Sequence, residues 1–475
     1  MFNPVEKSIN KRNTSMNKML RFLLLSLTIG IAAVGLSSCN DDDDSGSARN
    51  IAQLAEANDG LSTLEAALER FPDLTSTLSG SGDFTVFAPT DEAFENLLSA
   101  IGQTNLDDIP DDVLREILEY HVLSTSYKST ELTSTSVPTV GGENIAVSVS
   151  NGVTLNNSAS VTQADIAASN GVVHVVDEVL VPPSMAPIVG TIVAPAFFNK
   201  NFTTLIAAVR AASPGILQAL LADGDKTLFA PTNDAFAAAG ITTLPDQATL
   251  DAVLTYHVIA QEVMAADIAS GSSTAPTLNG NIFLSKNEAG VFINGNSKVT
   301  TADIQASNGV VHVIDRTLLP PSQTIAEIAV GYNSANPAEF TQLVAALART
   351  QGQGANDLLA AVSSGNSNLT VFAPTDAAFQ ELYTALGVNG VNDIPLSTLI
   401  AVLKHHVVAG RVFSSDLASG SVPTLNGNLT ADVAAAPPTL TGASGGSNVA
   451  DLQTSLLNIH ATNGVIHVID KVLLP

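Results

Sequence analysis

The chain has one cysteine, Cys39, no tryptophan and only 5 tyrosines in 475 residues. A lone cysteine excludes an internal disulfide, so any fold must stand on apolar burial. Charged side chains are scarce at 13%, and basic ones scarcer: 19 Lys and Arg stand against 45 Asp and Glu, a formal net charge of −26. Nucleic acid and anionic lipid headgroups are poor partners for such a surface. Long apolar runs are missing too, apart from residues 22–36. No other run is long enough to span a bilayer.

That one run has a setting. Lys7, Lys11, Arg12, Lys18 and Arg21 precede or open it, and Leu36-Ser37-Ser38-Cys39 follows. A basic start followed by about fifteen apolar residues reads as an export signal. The four residues ending in Cys39 resemble a bacterial lipobox, in which the leader is cut before a Cys that then carries lipid. Residues 1–38 are therefore assigned as a lipoprotein signal peptide and Cys39 as the lipidation site. Cleavage would remove five basic side chains and one acidic one, taking the formal charge from −26 to −30. Asn40, four aspartates at 41–44 and Ser-Gly-Ser come next. Residues 39–49 read as an acidic, flexible tether. Acid directly behind a lipidated Cys also resembles bacterial surface-export signals. The expected location is the outer membrane, on its periplasmic or its outward face.

Beyond the leader the chain repeats itself. FTVFAPTDEAF (84–94), TLFAPTNDAF (227–236) and TVFAPTDAAF (370–379) form one set; ASNGVVHVVD (168–177), ASNGVVHVID (306–315) and ATNGVIHVID (461–470) form another. The spacing of about 140 residues is a domain length, far above solenoid repeats. The predicted domains are 50–183, 184–321 and 322–475. In the first, Ile51, Leu54, Leu61, Leu64 and Leu68 give a helical stripe interrupted near Gly60. A strand over 84–87 ends at Pro89, and Thr90 or Asp91 suits an N-cap. Pro110 begins a second helix whose inner face would be Val113, Ile117, Leu118 and His121. Antiparallel strands and tight turns follow, and 172–176 reads as a central strand. Helices first and strands after predict an α+β fold. Pro182-Pro183 and Pro320-Pro321 read as short stiff spacers between domains.

The FAPT-[DN]-x-AF box, a Tyr-His pair downstream and the closing NGVxHVID box resemble the fasciclin (FAS1) domain family over residues 50–475. The resemblance implies three tandem domains, each a β-sheet wedge with packed helices. It implies adhesion or matrix contact, with a Tyr-His pair at the receptor-facing surface. The matching positions are Tyr120, His121, Tyr256 and His257; the third repeat departs with His405 and His406.

The histidines also invite a metal reading. Six of the eight recur in register, but two per repeat fall short of a closed site. Asp165 and Asp303 give way to Asn458 in the third copy. No metal or cofactor is therefore expected, and His174, His312 and His467 are assigned as structural. Asp91, Asn233 and Asp376 share one aligned position, and an Asp/Asn alternation suits a helix cap better than a general base. No G-x-S-x-G elbow or Ser/His/Asp set recurs in the three repeats, and no phosphate loop is present. The chain is read as a non-enzyme: a lipid-anchored protein that binds a protein or glycan ligand and uses repetition for avidity. A periplasmic scaffold for other lipoproteins, and a factor acting on polysaccharide or lipid, are the alternatives. Extra length, with 434–438 and 442–446, marks the third repeat.

Overall fold

The computed structural model describes residues 48–475 apart from 336, 338 and 447. The signal peptide, Cys39 and nearly all of the tether lie outside the described residues. In the first repeat the opening stripe is three short helices, Ile51–Glu56, Ser62–Glu69 and Pro72–Ser79. Asn50 starts the first: its side chain accepts from the Gln53 amide, and the Gln53 side chain accepts from the Asn50 amide. That reciprocal cap satisfies two donors a helix start otherwise leaves open. Pro89 closes the strand Phe84–Pro89, and Thr90 caps the helix Asp91–Ala100. The next helix, Asp111–Tyr120, follows Pro110 and buries Val113, Ile117 and Leu118 as its spacing predicts.

The two boxes, far apart in sequence, lie side by side. Phe84–Pro89 pairs in parallel with Gly171–Val176, Phe84 opposite Gly171 and Pro89 opposite Val176. Lys226–Pro231 pairs with Gly309–Ile314, and Leu369–Pro374 with Gly464–Ile469, in the same way. The glycine of the closing box follows from this pairing. A Cβ at Gly171, Gly309 or Gly464 would collide with the carbonyl of Phe84, Lys226 or Leu369. Only glycine lets the two strands approach.

The remaining strands pair antiparallel. The first sheet runs from Val122–Leu123 through Phe84–Pro89, Gly171–Val176, Ala159–Ala168, Thr154–Leu155 and Asn144–Ser148 to Ser136–Pro138. Two register shifts in Ala159–Ala168 bend the sheet into its wedge. Alternation along Phe84–Pro89 splits the core. Val86 and Ala88 face the helices, while Phe87 joins Tyr120, Ile145, Leu155 and Val176 on the other side. The second repeat also has seven strands in one order, and the third has two sheets of four. The fold is α+β, three tandem wedges with packed helices.

The extra length of the third repeat lies in the loop between the strands Thr439–Thr441 and Val449–Asp451, which match Thr154–Leu155 and the start of Ala159–Ala168 in the first. Asn448 holds the loop between them, donating to the Val472 carbonyl and accepting from the Leu474 amide.

The stiff spacers expected at the proline pairs join repeats that touch one another directly. After Pro182-Pro183 the chain turns back, burying Met185, Ile188, Ile192 and Val193 in an apolar cluster shared with the first repeat. The Gly190 amide donates to Ala100, and Gln103 joins the Pro195 carbonyl to the Asn199 amide group. Between the second and third repeats, Asn287 donates to the Ser415 carbonyl, and Ser285 bonds Ser415 and Asp416. A Pro-Pro pair fixes backbone angles, but what it leads into decides whether it spaces or packs.

Candidate functional site

A pair of buried histidines in opposite tautomers recurs in each repeat. Nδ1 of His121 lies 2.7 Å from the Ile117 carbonyl, and Nε2 accepts from the Leu180 amide at 2.8 Å. A carbonyl can only accept and an amide can only donate, so Nδ1 carries the proton. His257 and His406 repeat this with Val253 and Leu318, and with Val402 and Leu473. Each ring pins a helix end to the segment behind the closing strand. His174 is reversed: Nδ1 accepts from the Asp165 amide at 3.2 Å, and Nε2 donates to the Tyr127 carbonyl at 2.9 Å. His312 and His467 match it, with Asp303 and Val263, and with Asn458 and Val412. Burial pushes His121, His257, His406 and His467 down to about 4, against weaker upward pulls from backbone carbonyls.

The expected contact surface is corrected: Tyr120, His121, Tyr256, His257, His405 and His406 are each at most 2% exposed. The phenol ends of Tyr120 and Tyr256 donate to the Asn144 and Asn281 carbonyls and accept from Asn156 and Asn294. A helix end facing the sheet interior cannot present a phenol to a partner. His405 fills the tyrosine's place, donating to the Asn426 carbonyl; its second nitrogen accepts from Ala443 at 3.3 Å. Ala443 belongs to the extra loop, so the His for Tyr departure and the added length go together.

Asp91, Asn233 and Asp376 do not cap their own helices, where Thr90, Thr232 and Thr375 accept instead. They cap an earlier helix across the fold. Asp91 accepts from the Thr63 amide and the Ser62 hydroxyl, Asn233 from the Thr204 amide, and Asp376 from the Thr341 and Gln342 amides. An acceptor is all the place requires, so Asp and Asn both serve. Asp165, Asp303 and Asn458 sit at left-handed φ of 62°, 62° and 57°. Asp and Asn tolerate that conformation best among residues with a side chain. The alternation there answers a backbone demand, and each backbone amide supplies the bond to the histidine.

The closing box holds a further staple that reading Asn-Gly as a turn alone missed. Asn170 accepts from the Ile51 amide and donates to the Leu78 and Gly80 carbonyls. Asn308 and Asn463 do the same with Ile192, Leu220 and Ala222, and with Ile325, Val362 and Ser364.

The seam between the second and third repeats was also unread. Asn458 donates to the Gly295 carbonyl and to Asn296. Phe283 meets Phe413 and His460, and the Arg411 guanidinium lies 4.6 Å from the Phe283 ring centre. Beside these contacts is a cleft of about 390 Å³, lined from both repeats. The available signal was that the third repeat has Asn458 and His460 where the first has Asp165 and Ala167.

An α+β wedge whose recurring polar side chains are spent on internal staples, repeated three times and packed end to end, defines a tandem-module chain. The Fasciclin domain family model matches residues 59–182, 200–320 and 338–475, well over half of the sequence, and the chain belongs to the fasciclin family. It is 28% identical to transforming growth factor-beta-induced protein ig-h3 of Oryctolagus cuniculus, over 78% of this chain and 51% of that protein. Periostin of Homo sapiens is 27% identical, over 90% of this chain and 47% of its own length. Protein sll1483 of Synechocystis sp. is 40% identical over 29% of this chain and 76% of its own. The chain thus spans about half the length of the first two relatives.

Proposed function

We propose that the chain is an exported, lipid-anchored envelope protein that mediates adhesion by binding a matrix protein or glycan through its tandem repeats. Family membership supports a general adhesion or surface-protein role. The lipobox at Cys39 and the aspartates behind it support an anchor in the outer membrane. The observation that carries the reading is the threefold family match within one chain. Linked weak sites raise avidity by roughly 10²–10⁴ when geometry allows, a gain that suits a binder. Catalysis is no part of the reading, since the recurring histidines, asparagines and acids serve as backbone partners.

The test has two arms. Intact cells carrying the chain are shaved with protease and applied to matrix-protein and glycan arrays, beside cells with Cys39→Ala. The expected result is protease-sensitive retention that falls when Cys39 is replaced. A chain that resists shaving and gives no retention on any array would support the envelope scaffold instead.

A further inference from the structure

Among the described residues, three buried side-chain atoms lack a hydrogen-bond partner: Thr317 Oγ1 and both ring nitrogens of His460. Thr317 comes from the second repeat and His460 from the third, and both line the 390 Å³ cleft at their seam. A buried polar atom without a partner is costly and calls for an explanation. Elsewhere the fold leaves little to chance: Asn170, Asn308 and Asn463 each use both ends of the amide, and six histidines use both nitrogens. An occupant that draws the three atoms to the cleft wall relieves that cost.

The lining says what kind of occupant fits. No Asp or Glu is among the described residues around the cleft, in a chain with a net charge of −26. Arg316 stands there, exposed, and its guanidinium has no ion pair among the described residues. Gln323 adds an amide, while Pro320 and Ile328 add apolar wall. Arg is suited to grip a carboxylate with two parallel bonds. The volume lies within the usual span for small-molecule sites. We propose that this seam is a binding site for a uronic-acid sugar. Arg316 takes the carboxylate, Thr317 and His460 bond ring hydroxyls, and the apolar wall packs the ring. The first seam has a counterpart cleft of about 510 Å³, but Glu178 and Val179 stand there in place of Arg316 and Thr317, so this polar set occurs at one seam among the described residues. It deepens the adhesive reading by naming a ligand class.

The test uses methyl glucuronide, methyl glucoside and inorganic phosphate as probes on the full chain, read by calorimetry and saturation-transfer NMR. Methyl glucuronide is expected to bind, with the uncharged glucoside and phosphate each about tenfold weaker or worse. Arg316→Gln should abolish the preference for glucuronide over glucoside. Thr317→Val should weaken glucuronide about tenfold while leaving the melting temperature unchanged or higher, because it removes an unpartnered buried hydroxyl. Both variants are conservative and Arg316 is exposed, so neither threatens the fold. Absence of glucuronide binding, equal binding by the variants, or phosphate competing as well as glucuronide would overturn the proposal. Array retention that survives such a failure would leave the adhesive reading intact, so the two fail separately.

Discussion

Acid should weaken this protein from the third repeat outward, beginning at a pH above the carboxylate range. His121, His257, His406 and His467 are held neutral, their titration moved by burial from 6.5 to about 4. Between those values the unfolded chain binds protons that the folded chain refuses. Stability is therefore full above about 6.5, falls as pH drops, and levels off below about 4. The slope is about 1.4 kcal/mol per pH unit for each ring. Each ring thus accounts for about 3 kcal/mol between pH 7 and 4. His121 in the first repeat and His257 in the second are held this way, and in the third His406 and His467 are joined by His460, which burial takes down to about 3. A loss of about 9 kcal/mol from three rings is comparable to the whole stability of an ordinary domain. Relief of repulsion among the carboxylates opposes this, but it acts on all three repeats and cancels in their comparison.

Amide hydrogen exchange on the full chain from pH 7.5 to 4.5, corrected for intrinsic rates, reads local opening repeat by repeat. The third repeat should lose protection first and most steeply. His406→Gln, which cannot titrate, should lower its stability at pH 7.5 but remove about 1.4 kcal/mol per pH unit from the slope. Protection that is constant down to pH 4.5, or that falls equally in all repeats, would refute the reasoning.

Asn170→Ala leaves the Ile51 amide and the Leu78 and Gly80 carbonyls without their partner. It should cost about 2–4 kcal/mol, read by denaturant titration of the first transition. Asp91→Asn keeps the acceptor that caps Ser62–Glu69, so it should change stability by less than about 1 kcal/mol, while Asp91→Ala costs about 1–2. Equal costs for the two variants would show that the negative charge matters and not the acceptor. His174→Leu removes the bonds to the Asp165 amide and the Tyr127 carbonyl. It should lower the first repeat's melting transition by several degrees, and an unchanged melt would show the ring to be dispensable.

Much of one repeat was legible from sequence because its signals are local. Pro110 before the acids at 111 and 112, the spacing of Val113, Ile117 and Leu118, and Pro89 at a strand end act within a turn or two of themselves. What sequence could not show were partners distant along the chain. Asp91 is well formed as a cap for the helix it begins, and only the fold reveals that it caps one 28 residues earlier. The Tyr-His pair reads as a displayable helix end until Asn144 and Leu180 are seen to occupy both side chains. The proline pairs fix local backbone and say nothing of Met185 or Ile188 folding back onto the first repeat.

The eight histidines show where recurrence stops being informative. Six repeat in register, and each has both nitrogens occupied by its own repeat. His405, where the others have tyrosine, is accommodated by Ala443 from a loop only the third repeat has. His460 is left, standing where the earlier copies have Ala167 and Gln305. It is the histidine whose nitrogens find no partner among the described residues. A residue present three times must satisfy three surroundings at once, so it is spent on what the surroundings share, which is the wedge itself. A residue present once is free of that demand. In a chain of packed repeats such residues can gather at one seam, as His460 and Asn458 do beside Arg411 and Phe283. Specific chemistry in this molecule is therefore to be sought in the departures from the repeat.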